Sequence, residues 1–244
     1  MRSLPTAMLH HVEDRKDWGS LKPYCIERKT LVRLLDQIQR SGKKGVSLTD
    51  AHKTPSRNKV VLTFDDGAQH LWDFAIPELL NRGMTASFFI PTHHIGKTNS
   101  WDVEEGRAEV QLMDETAILE LHKAGMEVGG HSHHHIRLGE LEESLAIQEL
   151  RMSKEILDDL IQEETQSMAW PYGSVPENSA ELLRQSGWKT GLAIFSPDAH
   201  PASMRRFIIH DGDTSRSMRL KFGVLYRVYR TLIDRRLSPT SSRN

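Results

Sequence analysis

Two adjacent carboxylates, Asp65 and Asp66, and a histidine tract, His131-Ser132-His133-His134-His135, are the parts of this chain best equipped for chemistry. Like charges side by side raise each other's pKa unless a cation, a metal or hydrogen bonds compensate, so the acidic pair asks for something positive nearby. At a strand end, neighbouring side chains point in different directions, so one carboxylate can hold a metal while the other moves protons. A strand-to-helix turn, with one aspartate capping the next helix and Gly67 taking an unusual dihedral, accounts for the same residues without chemistry. The histidines tip the balance. His131 and His135 are four apart, and a turn of helix there would set both imidazoles on one face, able to grip a single ion. Two histidines and a carboxylate form a three-ligand site with positions left for water and substrate, as in catalytic rather than structural zinc.

Both groups sit where strands end. Val60-Val61-Leu62 is a short, fully buried strand running into the acids, and Met126-Glu127-Val128 is a second one running into Gly129-Gly130 and the histidines. Thr6 to Val12 is a third strand, ending in His10 and His11. Leu31, Leu34, Leu35 and Ile38 recur at helical spacing over 27–39. A brief strand follows at 45–48, then a surface loop over 50–58. The pattern predicts a helix over 71–82 with Pro77 inside it, and a strand over 85–91. Strand, helix and strand within about thirty residues make a βαβ unit, so the sheet is parallel. Residues 93–107 show no period and read as a functional loop, in which Trp101 either stacks on a ligand ring or anchors the loop. Asp114 caps a helix running to 123, a long amphipathic helix or helix pair covers 140–164, and strands occupy 167–170 and 187–195.

Composition narrows the class. A chain of 244 residues can bury a substantial core as one domain, here 1–237, followed by a disordered tail at 238–244. The formal net charge is −1, so nothing global points to nucleic acid. Cys25 is the only cysteine, which excludes an internal disulfide and a cysteine-based zinc site. The N-terminal residues turn polar too quickly for a signal peptide, and no apolar run approaches eighteen residues, giving the expectation of a cytoplasmic protein. Residues 216–236 carry seven Lys or Arg and Asp234 as their one acid. They read as a helix packed on the domain with its basic face in water, with peripheral contact to an anionic membrane as the alternative.

The combination of Thr63-Phe64-Asp65-Asp66-Gly67 with His131-Ser132-His133-His134-His135 resembles the polysaccharide deacetylases of carbohydrate esterase family four. The resemblance implies a distorted (β/α) barrel of about seven parallel strands. It implies Asp65 as general base, and Asp66, His131 and His135 as ligands of a divalent ion, most simply zinc, with cobalt, nickel and manganese as the other candidates. Pro171-Tyr172-Gly173 is similar to the family's third motif, in which the backbone N–H of Tyr172 helps to hold the oxyanion and Trp170 and Pro171 wall the substrate groove beside Trp101. The family's usual arginine would fall at Ala169.

Within the branch of the poly-N-acetylglucosamine deacetylases, a late Arg-Ile-x-Val pattern followed by Asp-Thr resembles Arg206-Phe207-Ile208-Ile209 with Asp213-Thr214. This makes Arg206 the expected partner of Asp65. In the same branch an N-terminal histidine serves as general acid. His10, two residues before Val12, fits that position, with His11 and His210 as competing assignments. The implied reaction is hydrolysis of N-acetyl groups on an amino-sugar glycan, or on a nucleotide- or lipid-linked precursor of one, releasing acetate. A small non-sugar amide as substrate, or a non-catalytic carbohydrate-binding role, would use the same cleft.

Overall fold

The computed structural model describes residues 4–15, 17–196 and 200–237. Its strands are β1 (Thr6–Leu9), β2 (His11–Val12), β3 (Cys25–Ile26), β4 (Lys44–Val46), β5 (Lys59–Phe64), β6 (Ser87–Ile90), β7 (Glu127–Gly130), β8 (Ser167–Ala169), β9 (Thr190–Ala193), β10 (Met204–Arg205) and β11 (Phe207–Ile208). Its helices are α1 (Arg28–Arg40), α2 (Leu48–Lys53), α3 (Ala75–Asn81), α4 (Ser100–Val103), α5 (Glu115–Lys123), α6 (Glu143–Ile161), α7 (Ser179–Ser186), α8 (Ser215–Lys221) and α9 (Val224–Leu237).

One sheet runs in the order β10-β9-β8-β7-β6-β5-β1-β11, with β4 alongside β5, and its pairings are parallel. β10 and β11 are two halves of one stave on either side of Arg206. The first half pairs with β9 (Arg205 opposite Ala193) and the second with β1 (Phe207 opposite Ala7), so the sheet closes on itself. The result is a barrel with seven staves in its hydrogen-bonded circuit. β4 is an eighth strand wedged at the base between β5 and β6, where the Thr85 N–H donates to the Gly45 carbonyl.

Apolar, β-branched strands suit a sheet covered on both sides. The outer shell of the core includes Val60, Leu62, Phe64 and Phe88 with the inner stripe of α1: Leu31, Leu34, Leu35 and Ile38 are all fully buried, each worth roughly 1.5–3 kcal/mol. The barrel interior is a separate, smaller cluster of Val61, Phe89, Ala169 and Leu192, plugged from below by Val46, Leu48 and Ala51. That plug corrects the expected surface loop over 50–58, whose first residues belong to α2. Ser47 caps α2 by accepting from the Asp50 N–H, and α2 is tied into the barrel where Leu48 N–H donates to Ser87 Oγ and Thr49 N–H to Glu127.

Glycine at the end of β7 is a matter of space. A Cβ on Gly129 would lie 2.5 Å from the Ser167 carbonyl oxygen, and one on Gly130 would lie 2.6 Å from the Trp188 ring. The strand that delivers the histidine tract therefore approaches its neighbours more closely than a side chain permits.

Other elements differ from expectation. The helix foreseen over 71–82 is broken at Phe74 into a 3₁₀ turn, Gln69–Asp73, and α3. Pro77 is tolerated in α3 because it lies in the first turn, where the missing N–H has no helical partner to lose. Residues 140–164 form one helix, α6, not a pair. At the C-terminus Arg216 and Arg219 face water as expected, and α9 adds exposed apolar residues. Val224, Leu225, Val228, Tyr229 and Leu232 of α9 are exposed, while Arg230 turns inward to the buried Asp234 and to the Ile194 carbonyl. The expected disordered tail, 238–244, lies outside the described residues.

Candidate active site

Parallel strands share one carboxyl end, and there the chemistry-bearing residues meet. His10 follows β1, Asp65 and Asp66 follow β5, His131 to His135 follow β7, and Tyr172 follows β8. Register places them: β1 and β5 pair Leu9 with Phe64, and the Asp65 N–H donates to the Leu9 carbonyl.

Asp65 is 2% exposed. Arg206, 1% exposed, forks onto it with Nη1 donating to Oδ1 at 2.6 Å and Nη2 to Oδ2 at 2.8 Å. Nη1 also reaches Thr63 Oγ1 at 3.2 Å. Burial alone would raise the Asp65 pKa, but the Arg206 charge, with help from His131 and His10, holds it below the ordinary carboxylate value. Asp65 is therefore an ionised carboxylate, held in one orientation. His10 Nε2 lies 3.9 Å from Asp65 Oδ2, with its imidazole against the Tyr24 ring.

Asp66 takes a left-handed backbone (φ 71°), which turns its carboxylate away from Asp65 and toward the histidines. Its Oδ1 is 3.4 Å from His131 Nε2 and 3.3 Å from His135 Nε2. Those gaps exceed an ordinary hydrogen bond and match the roughly 3.3 Å between neighbouring ligands of a tetrahedral ion with bonds of about 2.0–2.1 Å. His131 Nδ1 donates to the Ala169 carbonyl at 2.8 Å; a carbonyl can only accept, so the proton sits on Nδ1 and Nε2 is left to bind. The donor set thus fits a divalent ion. Without one, burial lowers His131 but Asp66 and Asp65 outweigh it and raise its pKa, whereas for His135 burial wins and the pKa falls. Burial likewise opposes ionisation of Asp66, yet the two imidazoles bring its pKa well below the ordinary value.

The tract is not the helical turn expected from its spacing. Ser132 and His135 both adopt left-handed backbone (φ 57° and 55°), and this kinked path, not an i,i+4 face, brings His131 and His135 together. A cavity of about 150 Å³ opens above the ligands, lined by His10, Asp65, Asp66, Trp101, His131, His135, Tyr172 and Arg206, among others.

Residues 52–191, more than half of the chain, match the polysaccharide deacetylase family model. The chain belongs to the polysaccharide deacetylase family. Among curated relatives, the poly-beta-1,6-N-acetyl-D-glucosamine N-deacetylase of Staphylococcus epidermidis is 23% identical over 180 residues, which cover 68% of this chain and 60% of that one. This chain spans about half to three-fifths of the length of the curated relatives it matches. Among solved structures, the Streptococcus pyogenes deacetylase PplD in complex with acetate superposes with a TM-score of 0.78 at 18% identity, covering 91% of this chain and 98% of that one. IcaB from Ammonifex degensii gives 0.74 at 21% identity, covering 90% and 96%. These likenesses identify the fold as the deformed (β/α) barrel of polysaccharide deacetylases. The family is metal-dependent in general, and Asp66, His131 and His135 provide a set of donors in this member.

In this polysaccharide deacetylase-family chain, His10 and Arg206 lie outside the span matched to the family model, yet the barrel carries both to Asp65. Ala169 is fully buried in the barrel interior beside Phe89, and the Arg206 guanidinium enters the same interior from the closing stave, 5.9 Å from the Phe89 ring. Of the competing histidines, His210 is exposed and does not line the cavity. His11 does line it, but burial lowers its pKa to about 3, so it holds no proton to give near neutrality.

Of the two groove residues foreseen beside Tyr172, one lines the cavity and one does not. Trp170 lines the cavity although it is fully buried, its indole N–H donating to the Ala202 carbonyl at 2.7 Å. Pro171 is buried and off the cavity wall. Trp101 stacks on His135, ring centroids 4.1 Å apart at 28°. Its loop is pinned by Asp102, which accepts from Arg107 at 2.7 Å and from Asn99 at 3.0 Å. Tyr172 holds a left-handed backbone (φ 56°), unusual for an aromatic residue, under the Arg137 guanidinium 4.3 Å from its ring. Asp102, Arg107 and Arg137 were missed as cavity residues; the one sequence signal was proximity to Trp101 and to the histidine tract.

Proposed function

We propose that this chain is a metal-dependent N-deacetylase that hydrolyses N-acetyl groups on an amino-sugar glycan or glycan precursor, releasing acetate. The observation that carries the reading is the division of labour between two adjacent buried carboxylates, Asp65 clamped by Arg206 and Asp66 turned to two imidazoles. A divalent ion held by Asp66, His131 and His135, with zinc the first candidate, would supply Lewis acidity toward the amide carbonyl and a water. Asp65 takes the proton of the attacking water, and Arg206 fixes the carboxylate's orientation. The Tyr172 backbone N–H donates to the oxyanion as charge develops there. His10, 3.9 Å from Asp65, gives the proton that lets the amine depart. The names of the relatives, poly-N-acetylglucosamine deacetylase above all, support the substrate class.

The test is acetate release from N-acetylglucosamine oligomers of graded length, before and after chelation, with Asp65→Asn and His10→Gln as variants. Release abolished by chelator and by Asp65→Asn, and reduced about 10²–10⁴-fold by His10→Gln, supports the assignment. Turnover of small non-sugar amides alone would replace the substrate; no turnover despite a bound ion would favour a binding role.

We also propose a cytoplasmic location with peripheral membrane contact. Exposed Leu225 (82%), Val224 (64%) and Leu232 (59%) on α9, in a segment rich in arginine, support the membrane contact. No described helix is long and apolar enough to cross a membrane. Co-sedimentation with anionic vesicles, lost in Leu225→Glu, is the expected result; equal sedimentation of that variant would remove the contact.

A further inference from the structure

The kinked tract that turns His131 and His135 toward Asp66 sends the two histidines between them elsewhere. His133 and His134 do not line the catalytic cavity. They meet His93, from the turn after β6, with ring centroids 5.4 Å (His93 to His133), 4.5 Å (His93 to His134) and 4.3 Å (His133 to His134) apart. One ring nitrogen from each lies within 4.8 Å of the other two. We propose that His93, His133 and His134 form a second divalent-metal site.

Two of the three rings are oriented by partners of the kind that ligating histidines have. Glu149 Oε1 accepts from His134 Nδ1 at 2.6 Å, which places the proton there and leaves Nε2 with its lone pair. His133 Nδ1 pairs with Thr92 Oγ1 at 2.8 Å; with the hydroxyl accepting, Nε2 keeps its lone pair for a ligand. Glu149, itself buried, also accepts from the backbone N–H groups of His133 (3.1 Å) and His134 (2.9 Å), and the His93 N–H donates to the His133 carbonyl at 2.8 Å. The loops are therefore pinned before any ion arrives. Three imidazoles with no carboxylate among the donors favour zinc, copper, nickel or cobalt over magnesium or calcium.

One group opposes the site as it stands: Lys97 Nζ lies 3.4 Å from His93 Nε2. Lys97 is exposed, so its ammonium can swing into water, and it competes with a cation for that nitrogen. A bound ion would tie the turn after β6 to the tract after β7, bracing the segment that carries His131 and His135.

The test is calorimetric titration of the metal-stripped full chain with zinc, and separately with nickel. Two equivalents are expected for the unaltered chain, one for His93→Ala, one for His134→Ala, and one for Asp66→Ala, which keeps the second site alone. Lys97→Ala is expected to tighten the equivalent that His93→Ala removes. His93 is exposed and makes no hydrogen bond to Glu149, so its variant decides the matter even if His134→Ala misfolds. If His93→Ala binds as many ions as the unaltered chain, the site does not exist.

Discussion

Arg206 and Asp65 form a two-pronged ion pair sealed from water, Nη1 to Oδ1 at 2.6 Å and Nη2 to Oδ2 at 2.8 Å. Removing one partner of a buried pair leaves an uncompensated charge. Arg206→Ala is expected to cost about 3–5 kcal/mol in chemical denaturation and to reduce kcat/KM at least about 10²-fold. Without the guanidinium, burial raises the Asp65 pKa, so the acid limb of the pH–rate profile moves to higher pH. Arg206→Lys restores charge but not the fork, and is expected to recover stability more than rate. An unshifted acid limb in Arg206→Ala would show that Asp65 is not the base.

Trp101 covers one face of His135. Trp101→Ala is expected to loosen that ring and weaken ion retention about 10–100-fold, measured by competition with a chelating dye. Unchanged retention with a raised KM would make Trp101 a substrate contact only.

His11, buried, and His70, half-buried, lie beside Trp18, the two imidazole centroids 5.3 Å from each other. Burial lowers His11 to about 3 and His70 to about 4, against the partial opposition of Asp66 and Asp73 respectively. In the unfolded chain both protonate near 6.5. Between about 4 and 6.5 the unfolded state binds more protons, so stability is full above 6.5 and declines as the pH falls. The His70 shift corresponds to roughly 3 kcal/mol at full effect. His70→Gln is expected to flatten the pH dependence of the melting temperature over that interval; an unaltered slope would assign the acid sensitivity to other groups.

Gly130→Ala is expected to cost about 1–3 kcal/mol, because the Trp188 ring must move. Gly129→Ala is expected to cost more, since its Cβ meets the rigid Ser167 carbonyl. Urea denaturation of the two variants checks both the size and the order.

What the sequence conveyed well was what short segments determine. β5 and β7 are apolar runs that stop on acids or glycines, and Asp114 caps α5 as its position implies. The amphipathic spacing of α1 was equally plain. Features that depend on closing the barrel were not legible. Residues 50–58 look like polar surface until the barrel gives Ala51 of α2 an interior to plug beside Leu48. That Trp170 is held at the cavity by the Ala202 carbonyl, 32 positions away, is equally invisible in the local sequence. The i,i+4 spacing of His131 and His135 suggested a helix because spacing cannot reveal two left-handed residues. Arg206 was reachable by family resemblance alone, since no local pattern ties it to Asp65.

Those two residues are separated by 141 positions, and the arginine sits at the centre of the stave that completes the circuit. During synthesis Asp65 is made long before its counter-ion, so an emerging chain holds a strand end with an unbalanced charge and no oriented base. An oriented, charge-balanced Asp65 therefore arrives with the last stave to be inserted. Any thermal opening of the seam between β1 and β9 withdraws Arg206, so the orientation and charge of Asp65 report on whether the barrel is shut.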